Sequence, residues 1–344
     1  MKLIAGPMAT LSHQGLRKII EDFGGCDEYY TEMINASSYL THGQFESYYT
    51  LNEIAGDKIV WQLTGKDSEP MARAAKELCA LGGIGIDLNM GCSAPEIVKT
   101  GAGIAWMIKP IEETKRLVCE VRNAIDSYNS QTSAKGNVHK KQRLSVKLRL
   151  GDENFTDEGF FSFCKMLMDE GVQQLTLHPR TKKQKYTRPA RWEYVEKLAG
   201  FAKPYGVRII LNGDVKDVES AKSAMKASPS ADGLMIGRMA AQKPWIFAQI
   251  ARSFACEDSD RDVLRTKIDL QQLIFEYLDD LQIYQPKEFW KTRCQRFFTY
   301  FCSNFSFAHY ARTQLVNASC ISQAKERLVQ YFEKVPEDRF ISAV

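Results

Sequence analysis

One cysteine of this chain, Cys92, stands in the stretch NMGCSAPE, among small residues just beyond an apolar run. A free thiol titrates near ~8.5 and stays mostly protonated at neutral pH, so a cysteine held in a cleft is a ready proton donor. Cysteines that only pack sit more often inside a strand or helix. Other residues suited to chemistry close short apolar runs: Gln62 after KIVW, Lys147 in LSVKLRL, His178 at the end of QQLTLH. A carboxamide matches the donor and acceptor edge of a flavin, and a lysine cation stabilises the negative charge that gathers near N1 and O2 of a reduced flavin. His178 ends its run where it would reach the same cofactor. Two glycine-bearing turns, NGD at 212–214 and GR at 237–238, follow later runs. Either alone would be a tight turn; together, at positions where barrels hold phosphate on backbone N–H groups, they point to a phosphate-bearing cofactor, with Arg238 adding a charged contact.

The elements that would position these residues alternate along the chain. Strand-like runs at 3–8, 28–33, 58–63, 84–89, 144–150, 173–178, 207–212 and 232–237 are separated by helix-like segments. Eight such units suggest an α/β fold of the TIM-barrel type, although a doubly wound sheet alternates similarly. The barrel is favoured because Met8, Glu32, Gln62, Asn89, Lys147 with Arg149, His178, Asn212 with Asp214, and Arg238 all fall at or after the C-terminal ends of the runs. A barrel gathers those ends at one mouth. The polar, aperiodic segment 126–142 reads as a surface loop. Beyond Arg238 the patterns are long and helical, so a catalytic barrel over 1–250 is expected to be followed by a smaller all-helical domain over 251–344.

Composition narrows the class. With 44% hydrophobic and 26% charged residues the chain is an ordinary globular one. No apolar run approaches the roughly 18 residues of a membrane span, and the start MKLIAGPMATLSHQG lacks the apolar core of a signal peptide, so a cytoplasmic protein is expected. Nine cysteines without a CxxC pair argue against a zinc site or a disulfide framework. The net charge is only +4, so any affinity for nucleic acid has to come from local patches. One is the loop RTKKQKYTRPARW at 180–192, with six basic residues and no acid. A second lies between Lys287 and Arg327, where seven basic residues stand against two acidic ones, a net of +5, interleaved with aromatics. Both patterns suit contacts to a phosphate backbone. The stretch GAGIAW at 101–106 lacks the third glycine and the βαβ context of a dinucleotide fingerprint and is discounted.

In order along residues 4–250 stand AGPMA, TEM, WQLTGKD, IDLNMGC, GAGIAWM, VKLRLG, LHPRT, LNGDV and MIGRMAAQKPWIF. This series resembles the tRNA-dihydrouridine synthases. The resemblance implies an FMN-binding TIM barrel followed by a helical tRNA-binding domain. It implies that Pro7, Met8, Ala9, Gln62, Lys147, His178, Asn212, Gly213, Asp214, Gly237 and Arg238 contact FMN. Asn89, Arg149 and Arg180 would face the target uridine and tRNA, with Cys92 as the catalytic acid. The chain departs from the family pattern at Ser93, where a proline is usual, and at Glu96, where a lysine is usual.

The reaction so implied is reduction of the C5=C6 bond of a uridine in tRNA. NADPH or NADH reduces the flavin, hydride passes to C6, and Cys92 protonates C5 on the opposite face of a base swung out of the folded RNA. A monomer without metal or membrane attachment is the working expectation. Two other readings remain at this level. A flavin barrel acting on a small pyrimidine or enone would leave the two basic patches idle. A non-catalytic RNA-binding protein on a degenerate barrel would leave Gln62, Lys147 and Cys92 unexplained.

Overall fold

The computed structural model describes residues 1–134, 141–184, 186–255 and 266–343. Eight parallel strands form the centre: β1 Lys2–Ala5, β2 Glu28–Tyr30, β3 Ile59–Thr64, β4 Gly85–Met90, β5 Arg143–Leu148, β6 Gln174–Leu177, β7 Arg208–Asn212 and β8 Gly233–Ile236. Each pairs with the next, and β1 pairs with both β8, Ile4 opposite Met235, and β2, Ile4 opposite Glu28, which closes the barrel. A two-residue strand, Ile34–Asn35, extends the pairing along the end of β3. All eight expected runs overlap observed strands, and the residues just beyond the strand ends form the mouth.

The pleat decides which side chains face the interior. Alternate residues point to opposite faces, so Gln62 on β3, Asp87 and Asn89 on β4, and Ser145 and Lys147 on β5 share the inner face. Their neighbours Trp61, Leu63, Ile86, Leu88, Leu144, Val146 and Leu148 belong to the apolar shell under the helices. A separate small cluster inside the barrel joins Ile4, Tyr30, Val60, Ile84, Ile210 and Met235. Below it, Arg143 and Glu28 form a buried ion pair. Helix Ser68–Ala80 shows why the intervening segments are helical: it buries Met71, Ala74, Ala75, Leu78 and Cys79, one face at the i, i+3, i+4 spacing.

The stretch read as a surface loop over 126–142 is helical through Ala134, the end of helix Ile111–Ala134. The helix turns Asn129 inward, where its amide donates to the Gln142 carbonyl at 2.9 Å and accepts from the Gln142 N–H at 2.9 Å. Polar residues on the solvent face hid that anchor. Residues 135–140 of the same reading lie outside the described residues.

The tail contains helices Leu270–Tyr284, Lys287–Phe301, Ala308–Val316 and Ile321–Lys334. It also contains an antiparallel ribbon, Thr266–Asp269 with Phe340–Ala343, that the all-helical expectation missed. The ribbon joins the two ends of the tail. One continuous buried cluster runs from the barrel into the tail, including Leu16 and Ile19 on one side and Leu273, Ile274, Tyr277 and Phe297 on the other. Polar links cross the same junction: His13 Nε2 lies 3.3 Å from the Tyr277 hydroxyl, Lys18 pairs with Asp280 at 2.9 Å, and buried Arg293 pairs with Glu32. Among the described residues no helix is long and apolar enough to cross a membrane.

Candidate active site

The strand ends and their loops enclose a cleft of about 590 Å³. Fourteen of the fifteen predicted site residues line it. Pro7, Met8 and Ala9 come from the loop after β1, Gln62 from β3, Asn89 from β4 and Cys92 from the loop beyond β4. Lys147 and Arg149 project from the end of β5, and His178 stands just past β6. Asn212, Gly213 and Asp214 follow β7; Gly237 and Arg238 follow β8.

Cys92 is half-buried in a loop that its surroundings hold firmly. Its backbone N–H donates to Asn89 Oδ1 at 2.9 Å, the Gly91 N–H donates to the same oxygen at 3.2 Å, and its carbonyl accepts from the Ile104 N–H at 3.0 Å. Arg149 Nε donates to the Gly91 carbonyl at 3.0 Å. The stretch GAGIAW, set aside on sequence grounds, is the buttress of this loop: Gly103 packs against Cys92 in the left-handed region.

Behind the cysteine lies a set of inward polar groups. Asn89 Nδ2 donates to Gln62 Oε1 at 2.9 Å, and Gln62 Nε2 donates to Asp87 Oδ2 at 2.8 Å. Asp87 was not singled out from the sequence, although its place two residues before Asn89 puts both on one strand face. Burial lifts its carboxyl to about 6, against the opposing pull of hydrogen bonds from Gln62 and Ser145 and of the charges on Lys147 and Arg143.

The mouth is strongly cationic. Burial, and next the Arg149 charge, lower the Lys147 ammonium to about 8, and among the described residues it makes no hydrogen bond or ion pair. Burial and the surrounding Lys147, Arg149, Arg180 and Arg238 press His178 down to about 2, so its imidazole is neutral. Arg180 Nη1 lies 2.9 Å from His178 Nε2; a guanidinium only donates, so Nε2 accepts and the ring proton resides on Nδ1. This donor set, with an unpartnered lysine at one end and Arg238 at the other, suits a flat anionic ligand that carries a phosphate.

Arg180 is the exception among the predicted residues. It is fully buried and does not line the cleft. Nε donates to the Arg188 carbonyl at 2.8 Å and Nη2 to Asp214 Oδ2 at 2.6 Å. Asp214, in the left-handed region at φ 60, also accepts from the Ala190 N–H at 2.7 Å. Arg180 therefore pins the basic loop to the turn after β7, and its whole fork is consumed in doing so.

The two basic patches are thinned in the same way. In the loop, Lys183 pairs with Glu153 at 2.8 Å and Arg191 lies over the Phe155 and Tyr194 rings, leaving Lys182 and exposed Arg188 among the described residues. In the tail, Arg293 is buried against Glu32 and Lys325 pairs with Asp279, while Lys287, Lys291 and Arg296 stay exposed on one helix. That helix also sends Tyr300 into the cleft, a contribution the sequence did not signal. Tyr186 enters it from the basic loop, with Arg238 lying 4.1 Å from its ring centroid. Among the described residues no cluster of three His, Cys, Asp or Glu is arranged to hold a metal ion.

Three likenesses to known proteins fit this architecture. The tRNA-dihydrouridine(16) synthase of Pseudomonas syringae pv. tomato is 29% identical over 280 residues, 80% of this chain and 81% of that one. A probable tRNA-dihydrouridine synthase 1 of Synechocystis is 24% identical over 96% of this chain and 86% of that one. An old yellow enzyme homologue from Zymomonas mobilis shares the fold at 15% identity with a TM-score of 0.50, covering 76% of this chain and 90% of that one. The family model for dihydrouridine synthase (Dus) matches residues 3–334, through both barrel and tail, and the chain belongs to that family.

Proposed function

We propose that this chain reduces the C5=C6 bond of a uridine in tRNA to 5,6-dihydrouridine, with FMN as resident cofactor and NADPH or NADH as reductant. Bound FMN, once reduced, would supply the hydride for uracil C6. The protein's own part is to hold, orient and protonate. One observation carries the reading: Cys92, a thiol on the cleft wall, shares that cleft with Lys147, an ammonium that has no protein partner among the described residues. An unpaired lysine at a barrel mouth is destabilising until negative charge arrives, and the N1 and O2 edge of a reduced flavin brings such charge. Gln62 and Lys147 would hold that edge. Arg238 and the turn Asn212–Asp214 would hold the phosphate, and Pro7, Met8 and Ala9 would form the opposite wall.

Asn89 and Arg149 would face the uracil, and Cys92 Sγ would give its proton to C5, leaving a thiolate that regains a proton from solvent. Arg180 has no place among these contacts; it shapes the mouth from behind. A base inside folded RNA has to be swung out to enter such a cleft. Lys182, Arg188, Lys287, Lys291 and Arg296 would then meet the phosphate backbone.

The test is single-turnover oxidation of the reduced flavin by tRNA in Cys92→Ala. The variant keeps its flavin and is still reduced by NADPH, because neither step needs the proton. Its reaction with tRNA falls by roughly 10²- to 10⁴-fold, the usual worth of a positioned general acid. A wild-type rate would give the proton another source. Dihydrouridine mapping in tRNA from cells lacking the gene identifies the uridine, starting with the position named in the Pseudomonas relative. Turnover of free pyrimidines without tRNA would point to the small-molecule reading instead.

A further inference from the structure

We infer that Asp87 is a positioning residue that sets the direction of the hydrogen-bond chain ending at the Cys92 loop. The two ends of a carboxamide are nearly the same size, so Gln62 and Asn89 each have two orientations that fit equally well as shapes. An ionised carboxylate has no such choice, because it only accepts. Asp87 Oδ2 therefore takes Gln62 Nε2 at 2.8 Å. That turns Gln62 Oε1 toward Asn89 Nδ2 at 2.9 Å, which in turn aims Asn89 Oδ1 at the N–H groups of Gly91 and Cys92. From the other side Ser145 Oγ donates to Asp87 Oδ1 at 2.8 Å, and the Tyr30 hydroxyl, which accepts from Gln174 Nε2 at 2.8 Å, lies 3.4 Å from that Oγ. Every donor on the loop side of the chain points toward Asp87.

An asparagine at position 87 has the same shape and lacks that direction. It can donate to Gln62 Oε1, which turns Gln62 Nε2 toward Asn89, and Asn89 then presents an NH2 group to two backbone N–H groups. The loop carrying Cys92 loses its acceptor. Because Gln62 also lines the cleft, the same reversal changes the edge it offers to a ligand. The significance for catalysis rests on Cys92 as proton donor; the orientation of the chain does not.

The two can be separated by measuring backbone amide exchange over residues 90–93 in the ligand-free protein, wild type against Asp87→Asn. The expected result is exchange at Gly91 and Cys92 at least ~10-fold faster, with the rest of β4 as protected as in the wild type. A neutral Gln62→Met, which breaks the next link, gives the same local signature and serves if Asp87→Asn does not fold. In the loaded enzyme, Asp87→Asn lowers kcat for tRNA while KM for tRNA stays within ~2-fold. Unchanged exchange at 91–92 in both folded variants overturns the inference, as does a uniform loss of protection across the barrel.

Discussion

Gly103 lies so close to Cys92 that a methyl group on its Cα would stand 2.6 Å from the Cys92 carbonyl oxygen and 3.1 Å from the Cys92 Cβ. Its φ of 61 is also one that L side chains adopt only at a cost of about 1–2 kcal/mol. Gly103→Ala therefore forces the Gly103 turn and the cysteine loop apart, with Ile97 Cγ2 at 3.0 Å closing off part of the room. We expect a barrel that still folds and binds FMN within a few-fold of wild type, with uridine reduction lowered at least ~10-fold, since a displacement of about 1 Å at a reacting group can cost ~10²-fold. Melting, flavin titration and turnover of the one variant check all three. Wild-type turnover would mean that the loop yields without moving the thiol.

Lys147 has a stability cost that can be read against pH. Its ammonium is lowered to about 8 in the fold, against 10.5 as the ordinary value. Between those two values the unfolded chain holds a proton that the folded chain has lost, so stability rises with pH there; below 8 the penalty is constant and complete. Lys147→Met should stabilise the cofactor-free protein at pH 7, by a gain on the order of 3 kcal/mol that fades as pH rises from 8 to 10.5. Urea unfolding at pH 7, 9 and 10.5 measures it. The same variant should bind FMN more weakly, so stability and loading move in opposite directions. A destabilised Lys147→Met at pH 7 would show that the side chain has a partner.

Arg180 separates a structural role from a substrate role. With Asp214 as partner and no exposure, Arg180→Ala takes away the Asp214 carboxylate's closest cation at the turn after β7, leaving it the Ala190 N–H and Arg238 at 3.9 Å. The expected loss is about 3 kcal/mol of stability, typical when one member of a buried pair is removed. Arg180→Lys should rescue little, because a lysine cannot reproduce the fork that reaches His178, Arg188 and Asp214 together. Thermal melts of the ligand-free variants decide it. Undiminished stability with a raised KM for tRNA would return Arg180 to the substrate.

The barrel was legible because β3, β4 and β5 alternate apolar residues for the helices with polar ones for the interior, and the polar ones then meet at the mouth. Cys92 and Asn89 were legible for the same reason, standing at and just past a strand end. Arg180 was not. Its loop reads as a solvated basic run, and nothing near it in sequence reveals that Asp214, 34 residues on, turns its carboxylate back toward it. Tyr300 was hidden differently: it sits among buried aromatics on an amphipathic helix, and only the packing of that helix on the barrel singles it out. The shared core was hidden too, because a helical pattern shows which face is apolar and not what covers it.

That shared core changes how RNA binding by the tail has to be tested. Helix Gln14–Phe23 buries Leu16, Ile19 and Ile20 in the apolar cluster that continues into the tail, so deleting the tail would uncover barrel core and produce aggregation instead of an answer. Reversing charge on the surface avoids this. Lys287 lies 13 residues before Tyr300 on one helix, a rise of about 20 Å; Lys287 and Lys291, four apart, share one face, while Arg296 lies about 140° round the helix from Lys291, on the side of Tyr300 four residues on. The triple variant Lys287→Glu, Lys291→Glu, Arg296→Glu should weaken tRNA binding and flatten the slope of log K against log salt by about 2 to 3, if each residue meets one phosphate. FMN affinity and NADPH oxidation without tRNA should stay at wild-type values, because none of the three lines the cleft. An unchanged salt slope would move the RNA path off this helix and onto Lys182 and Arg188 of the barrel loop.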